Sequence, residues 1–348
     1  MTSIPLLRAA IASAAAITLL GCTGAPTESR TPYHAPGARF TIDPSGVDDG
    51  AGLAAFDAAL TTSGSAFAAF NTLRVGGPAN GSNSFPFGGT GATGIGANRY
   101  QQAYAASAFN STVPLLIQRF SFFNGVGVFS PNTYTLYLST TPVALNSLSL
   151  TNFNGNRGAD NTLVESRYLS GPAPATLTFE RSVPFLYNPA NGNLLLDVVV
   201  SPGGGVALPN RAFYAARNND AFGTLSRAHN FGTGFNGYGL VTDFELAPLS
   251  LDNLALVASQ AATNGRLTGA GPGNSASQLL AAWMSLLASA QAASASGNDY
   301  GACALLAQAY VRADGRPQPP DFVGGPSVAD IAALIGALRS TLNCPPPV

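Results

Sequence analysis

Lysine is absent from this chain, and all 16 of its basic residues are arginine. The bias matches the codon usage of a GC-rich genome and is not read as a binding device. Charge of either sign is scarce: 9% of residues carry one, against roughly 25% in a typical soluble domain. With 17 acidic residues the net charge is −1 and there is no basic stripe, so nucleic acid is not an expected partner. Histidine is limited to His34 and His229, and no Gly-x-Ser-x-Gly elbow supplies a nucleophile, which leaves a hydrolytic triad hard to assemble. Trp283 is the only tryptophan, so aromatic platforms for stacking on sugar rings are few.

What is present is enough apolar material for a core: 46% of 348 residues are hydrophobic, and the length suits two domains. The apolar run 9–20, preceded by Arg8, is shorter than the roughly 20 residues that span a bilayer and reads instead as an export signal with a thin cationic region. The run closes on Leu19-Leu20-Gly21-Cys22, which resembles a bacterial lipobox. That resemblance implies a signal peptide over residues 1–21, a lipid on Cys22, and attachment to the membrane through that lipid. Thr23, where an Asp would favour inner-membrane retention, implies sorting to an outer membrane or cell surface. Residues 22–38, with Pro26, Pro32 and Pro36 among small polar residues, read as a tether.

With Cys22 assigned to lipid, Cys303 and Cys344 remain as an even pair in a compartment that permits disulfides. A bridge between them closes a loop of about 40 residues, worth up to roughly 4 kcal/mol by the chain-entropy argument. A two-cysteine metal site lacks the further ligands zinc needs, so the bridge is favoured.

Residues 39–247 read as mostly strand. Tyr134, Leu136 and Leu138 alternate with Thr133, Thr135 and Tyr137, and Leu177 and Phe179 alternate with Thr176, Thr178 and Glu180. The near-continuous apolar run 194–200, bounded by Asn-Gly-Asn and Pro-Gly-Gly-Gly, has the pattern of a central strand buried on both faces. Strand-like segments recur at 98–105, 113–123, 133–140, 145–153, 162–169, 175–181, 193–200, 211–216 and 238–246, with turn signals such as Asn154-Gly155 and Asn191-Gly192 between them. The pattern predicts a mainly β fold, an antiparallel, jelly-roll-like sandwich. Residues 248–348 change character. Leu254 and Val257, the stripe Leu279, Leu280, Trp283, Leu286, Leu287 and Ala290, the segment 303–310, and the stripe Val328, Ile331, Leu334, Ile335 and Leu338 predict four helices in a small bundle. Ser327 with Asp330 reads as a capping pair for the last of them.

Several stretches in order, Asn98-Arg99-Tyr100-Gln101-Gln102-Ala103-Tyr104, Tyr134-Thr135-Leu136-Tyr137-Leu138, Gly158-Ala159-Asp160-Asn161-Thr162, Pro184-Phe185-Leu186-Tyr187-Asn188-Pro189 and Asn191-Gly192-Asn193-Leu194, resemble an exported bacterial β-sandwich domain of proteins with a PEP-type sorting tail. The resemblance covers about residues 85–246; the chain departs from it by ending in Pro-Pro-Pro-Val. Residues 249–346 resemble the FIMAH type of helical module, which also keeps a cysteine early in one helix and one at the final helix end. Both resemblances imply fold and address, and neither implies an activity.

The candidate sites each have a plainer account beside them. Asn154, Asn156, Asp160 and Asn161 crowd a Gly-containing turn and could offer oxygens to a structural calcium; ordinary turn chemistry explains the same residues more simply. Asp43, Asp48 and Asp49 form a second acidic cluster without a calcium-loop spacing. Tyr100, Tyr104 and Tyr238 are candidate ligand platforms, with core packing the simpler role for most. The glycine run 89–94 meets the dinucleotide pattern but leads into a strand, so it reads as a loop. Asp197, inside an apolar strand, requires a cationic partner, for which Arg119 is the candidate. Glu165, Glu180, Asp197 and Asp160 are the carboxylates to inspect for glycoside hydrolysis, and His229 reads as a loop residue able to act as a base. No cofactor and no catalytic residue is assigned. The leading expectation is a non-catalytic surface lipoprotein that binds an extracellular polysaccharide or other polymer, or a surface protein. A structural or matrix protein and a secreted hydrolase are the alternatives.

Overall fold

The computed structural model describes residues 71–88, 98–202, 211–219, 223–230 and 235–346. The export signal, Cys22, the tether, His34, the cluster Asp43, Asp48 and Asp49, and the glycine run 89–94 lie outside the described residues. What is described is mainly β, with antiparallel sheets and a curled half-barrel, followed by a C-terminal part of four helices.

One sheet holds β1 (Asn71–Val75), β4 (Leu115–Phe123), β7 (Thr176–Tyr187) and β13 (Thr242–Leu246), in the order β1-β13-β4-β7. A six-stranded sheet holds β3 (Asn98–Tyr104), β5 (Val128–Thr141), β6 (Thr162–Pro172), β8 (Asn193–Pro202), β10 (Leu225–His229) and β11 (Phe235–Asn236), ordered β11-β10-β3-β8-β5-β6. The short strands β2 (Gly81–Asn83), β9 (Tyr214–Arg217) and β12 (Gly239–Leu240) form a third sheet.

Period-two alternation accounts for how these strands face the core. On β5, Tyr134, Leu136 and Leu138 are all buried on one face. β8 pairs with β3 on one side and β5 on the other, so its apolar run is buried twice over: Leu194, Leu196, Val198 and Val200 join the main core, while Leu195 and Asp197 are buried on the opposite face. That main core draws on both larger sheets and is strongly aromatic. Phe120 and Phe122 of β4, Phe179 of β7 and Phe244 of β13 meet Tyr100, Tyr104 and Tyr134, with Tyr104 edge-on to Phe244 at 4.9 Å between ring centroids. Its buried hydroxyls are satisfied: Tyr104 Oη lies 2.7 Å from Thr242 Oγ1, and Tyr100 Oη donates to Gln102 Oε1 at 2.5 Å.

Two segments differ from the sequence expectation. Residues 145–153 form no strand. They belong to the long connection between β5 and β6, which crosses the face of the six-stranded sheet that points away from the main core. Side chains, not a ladder, hold it there: Gln101 Nε2 donates to the Phe153 carbonyl at 2.8 Å, Asn156 Nδ2 to Gln101 Oε1 at 2.7 Å, and Ser226 Oγ to the Leu145 carbonyl. Conversely, His229, read as a loop residue, ends strand β10, which pairs with β3 from Leu225 opposite Tyr104 to His229 opposite Tyr100.

The helices are α1 (Leu251–Thr263), α2 (Asn274–Ala295), α3 (Asp299–Val311) and α4 (Val328–Thr341). Ser250 Oγ caps α1 by accepting from Asn253 N, and Asn298 Oδ1 caps α3 by accepting from Gly301 N. The expected capping pair at α4 is not formed. Ser327 Oγ instead accepts from Arg266 Nε at 3.1 Å, and Asp330 accepts from the Asn188 and Asn191 amides of the β7–β8 turn. Leu254 and Val257 of α1, Trp283 and Leu287 of α2, Leu306 of α3, and Ile331, Leu334 and Ile335 of α4 build a second core. Trp283 Nε1 donates to the Ala309 carbonyl at 2.9 Å, so the buried indole is satisfied. This core also takes in Leu116, Val183 and Leu186, which β4 and β7 turn away from the aromatic core. The Cys303 and Cys344 sulfurs are at disulfide distance, with Cα atoms 5.3 Å apart, and tie α3 to the chain just beyond α4. No described helix is long and apolar enough to cross a membrane.

Candidate functional site

Where the helices meet the four-stranded sheet, a cleft of about 330 Å³ opens, near the lower end of the range typical of small-molecule sites. The β part supplies one wall from the end of the β5–β6 connection (Arg157, Gly158, Asp160) and from β7 (Arg181, Phe185). The helical part supplies the other from α1 (Gln260), the segment behind it (Asn264, Arg266) and the start of α4 (Ser327, Asp330). Gly158 is required for this wall to close: a Cβ there would fall 1.7 Å from the Thr140 carbonyl oxygen.

Each polar wall residue is anchored by part of its side chain. Arg157 donates through Nε to Asp197, and its guanidinium lies 4.5 Å from the Tyr137 ring centroid. Arg181 donates to the Val183 and Leu163 carbonyls, and burial pulls its pKa below the usual arginine value. Both Asp160 oxygens accept from Thr140 N, at 2.8 and 3.0 Å. Burial raises the Asp160 pKa, and the bonds from Thr140 and the charge of Arg266 oppose part of that rise. Gln260 Nε2 donates to Asn264 Oδ1 at 3.2 Å.

Behind the Arg157 wall sits the buried carboxylate of Asp197, 1% exposed. Its partners are Arg99, bidentate at 2.7 and 2.6 Å, and Arg157; Arg119, the expected partner, instead faces Glu245 at 3.3 Å. The correction follows from register. Gln101 stands opposite Asp197, which puts Arg99 on the same face of the neighbouring strand, two residues away, whereas Arg119 lies in the other large sheet.

The remaining candidates resolve individually. Tyr100 and Tyr104 are fully buried, with burial raising their pKa values, so neither ring offers a platform; both point into the aromatic core that period two assigns them. Tyr238 is half-buried, and the Arg227 guanidinium covers its ring at 3.7 Å. Asn154 Oδ1 accepts from Arg99 Nη2, Asn156 Oδ1 accepts from Ser149 N, and Asp160 accepts from Thr140 N, contacts that hold the β5–β6 connection to itself and to β3 and β5. Asn161 Oδ1 is buried without a hydrogen bond among the described residues. A guanidinium already bound to Asn154 is a poor neighbour for calcium, and among the described residues no group of three His, Cys, Asp or Glu is placed to hold a metal ion. Glu165 is paired with Arg167 at 2.6 Å, and Glu180 lies exposed beside Arg119. His229 is buried in β10 against Phe85, rings stacked at 4.9 Å, and burial together with the Arg227 charge pushes its pKa down to about 4.

Sequence reasoning missed Arg181, Arg266, Gln260, Asn264 and Asp330 as parts of one site. Each is an unremarkable polar residue in its own segment, and only the docking of the helices on β7 brings them together. No family model and no curated protein matches the chain.

Proposed function

We propose that this is an exported, lipid-anchored, non-catalytic binding protein that takes an extracellular polymer in the cleft between its β part and its helices. The single observation behind a binding rather than a catalytic role is the state of the cleft carboxylates. Both Asp160 oxygens share the one N–H of Thr140, and Asp330 accepts from Asn188 and Asn191, so each carboxylate is engaged in holding the walls of the cleft together. The groups left to meet a ligand are arginines and amides, which hold and orient. The address rests on Leu19-Leu20-Gly21-Cys22. The finer fold reading, a jelly-roll-like sandwich of the two larger sheets, is supported by the one core to which both contribute.

The test combines fractionation with sedimentation. The full-length protein should partition with membranes after expression in a lipoprotein-processing bacterium, and Cys22→Ser should release it or leave the precursor uncut. The mature protein should co-sediment with insoluble polysaccharide or with cell envelopes. A mature N-terminus without lipid, or failure to bind any such material, would remove the corresponding half of the proposal.

A further inference from the structure

The lining of the cleft carries both signs of charge. Arg157, Arg181 and Arg266 stand with Asp160 and Asp330, and Asp197, behind Arg157, is shared between Arg157 and Arg99. An anionic ligand would meet the Asp160 and Asp330 carboxylates, and a cation would meet guanidiniums. Hydroxyl groups, which donate and accept together, suit such a mixed set.

The unengaged atoms are also of both kinds. Among the described residues, the Nη atoms of Arg157 and Arg266 make no hydrogen bond, because each arginine is anchored through Nε alone. The Gln260–Asn264 bond leaves Gln260 Oε1 as an acceptor and Asn264 Nδ2 as a donor. Under them, the lining residues Pro184, Phe185 and Ala261 are apolar and buried, while Pro142, Asn191, Asn264 and Pro326 make an exposed rim. A buried floor with an exposed rim leaves the ends of a bound ligand in solvent.

We infer that the cleft seats a short stretch of a neutral polysaccharide, its hydroxyls shared between the arginines and the Gln260–Asn264 pair of the helical wall. This rests on the reading of the protein as a polymer binder and adds the ligand class and the residues that hold it.

Calorimetric titration of the mature full-length protein with neutral oligosaccharides of the maltose, cellulose and xylan types, beside an oligogalacturonate of equal length, tests it. At least one neutral oligomer should bind with a Kd below about 10 mM. Its affinity should change less than about twofold between roughly 50 and 500 mM salt. Gln260→Ala and Asn264→Ala should each weaken it about tenfold. Both side chains sit on the accessible side of α1 and its end, so the variants keep the fold, which Trp283 emission checks. Tighter, steeply salt-dependent binding of the galacturonate overturns the neutral-ligand assignment. Neutral binding unchanged in both variants, or no oligomer binding by a protein that still sediments with polymer, overturns the cleft and leaves the binding reading standing. Loss of all binding, to oligomers, polymers and envelopes, overturns both.

Discussion

The β part and the helical part solve the same problem with different materials. The β part buries large rings and ties its polar groups into networks: of the twelve largest fully buried side chains among the described residues, eleven are Phe or Tyr of the β part. In the helical part Trp283 is the one fully buried large ring among the described residues; Tyr310 and Phe322 pack against that core only partly buried, and Leu, Ile, Val and Ala, such as Ala258, Ala290 and Ala309, fill the rest. A core of small side chains removes little apolar surface per residue, so it needs help. That help comes from the Cys303–Cys344 link and from Leu116, Val183 and Leu186, lent by the neighbouring sheet. Cohesion is therefore internal to the β part, and partly borrowed in the helices.

The sharpest way to break this contrast is to disable the network of the β part. Asp197→Ala leaves Arg99 and Arg157 facing each other without the carboxylate that holds both. The expected loss, about 3–5 kcal/mol for one member of a buried ion pair, should appear in chemical denaturation. It should come with faster hydrogen exchange across residues 142–161, since Asn154 is tied to Arg99. A loss below 1 kcal/mol, by the same calibration, would mean that the crossing is held by its backbone carbonyls alone.

Reducing the disulfide tests the other side. The link spans a sequence separation of 41, and its removal should cost about 2–4 kcal/mol, felt mainly in the helices. Trp283, the only tryptophan, reports on that part without interference from the β part. Its emission should shift to the red at lower denaturant in the reduced protein, while tyrosine-region circular dichroism from the aromatic core holds. Simultaneous loss of both signals would show that the surface lent by β4 and β7 couples the parts more tightly than the cross-link separates them.

The remaining effect is that of pH. His229 takes a proton near its ordinary 6.5 when unfolded, but only near about 4 in the folded chain. Between these values the unfolded state binds more protons, so stability falls as the solution is acidified. The slope is at most about 1.4 kcal/mol per pH unit, and the effect levels off below the folded value. Denaturation midpoints from pH 7 to 4 should show this decline in the wild type and a flatter one in His229→Gln. An identical slope in both would place the sensitivity in another group.

Periodicity made the strands around Tyr134 and Leu177, the doubly buried β8 and the four helices legible, because each is a run in which neighbours in sequence share one face. Two kinds of feature were not legible. Leu145, Leu148 and Leu150 look like strand residues, but their segment is fixed to Gln101 and Ser226 by side chains far away in sequence, which no local pattern encodes. Likewise, the choice of Arg99 over Arg119 for Asp197 depends on strand register, and the cleft depends on helix docking; both are decided by packing between segments about a hundred or more residues apart.

Asp330 carries the cleft's last contact, made by α4 with the turn between β7 and β8. In a chain made from its N-terminus, α4 emerges after every other wall residue has been synthesised. A nascent or prematurely terminated product thus lacks a closed cleft, whereas a chain nicked between α3 and α4 keeps α4 attached through the Cys303–Cys344 link. Possession of a working site would then certify that synthesis had run as far as that final helix.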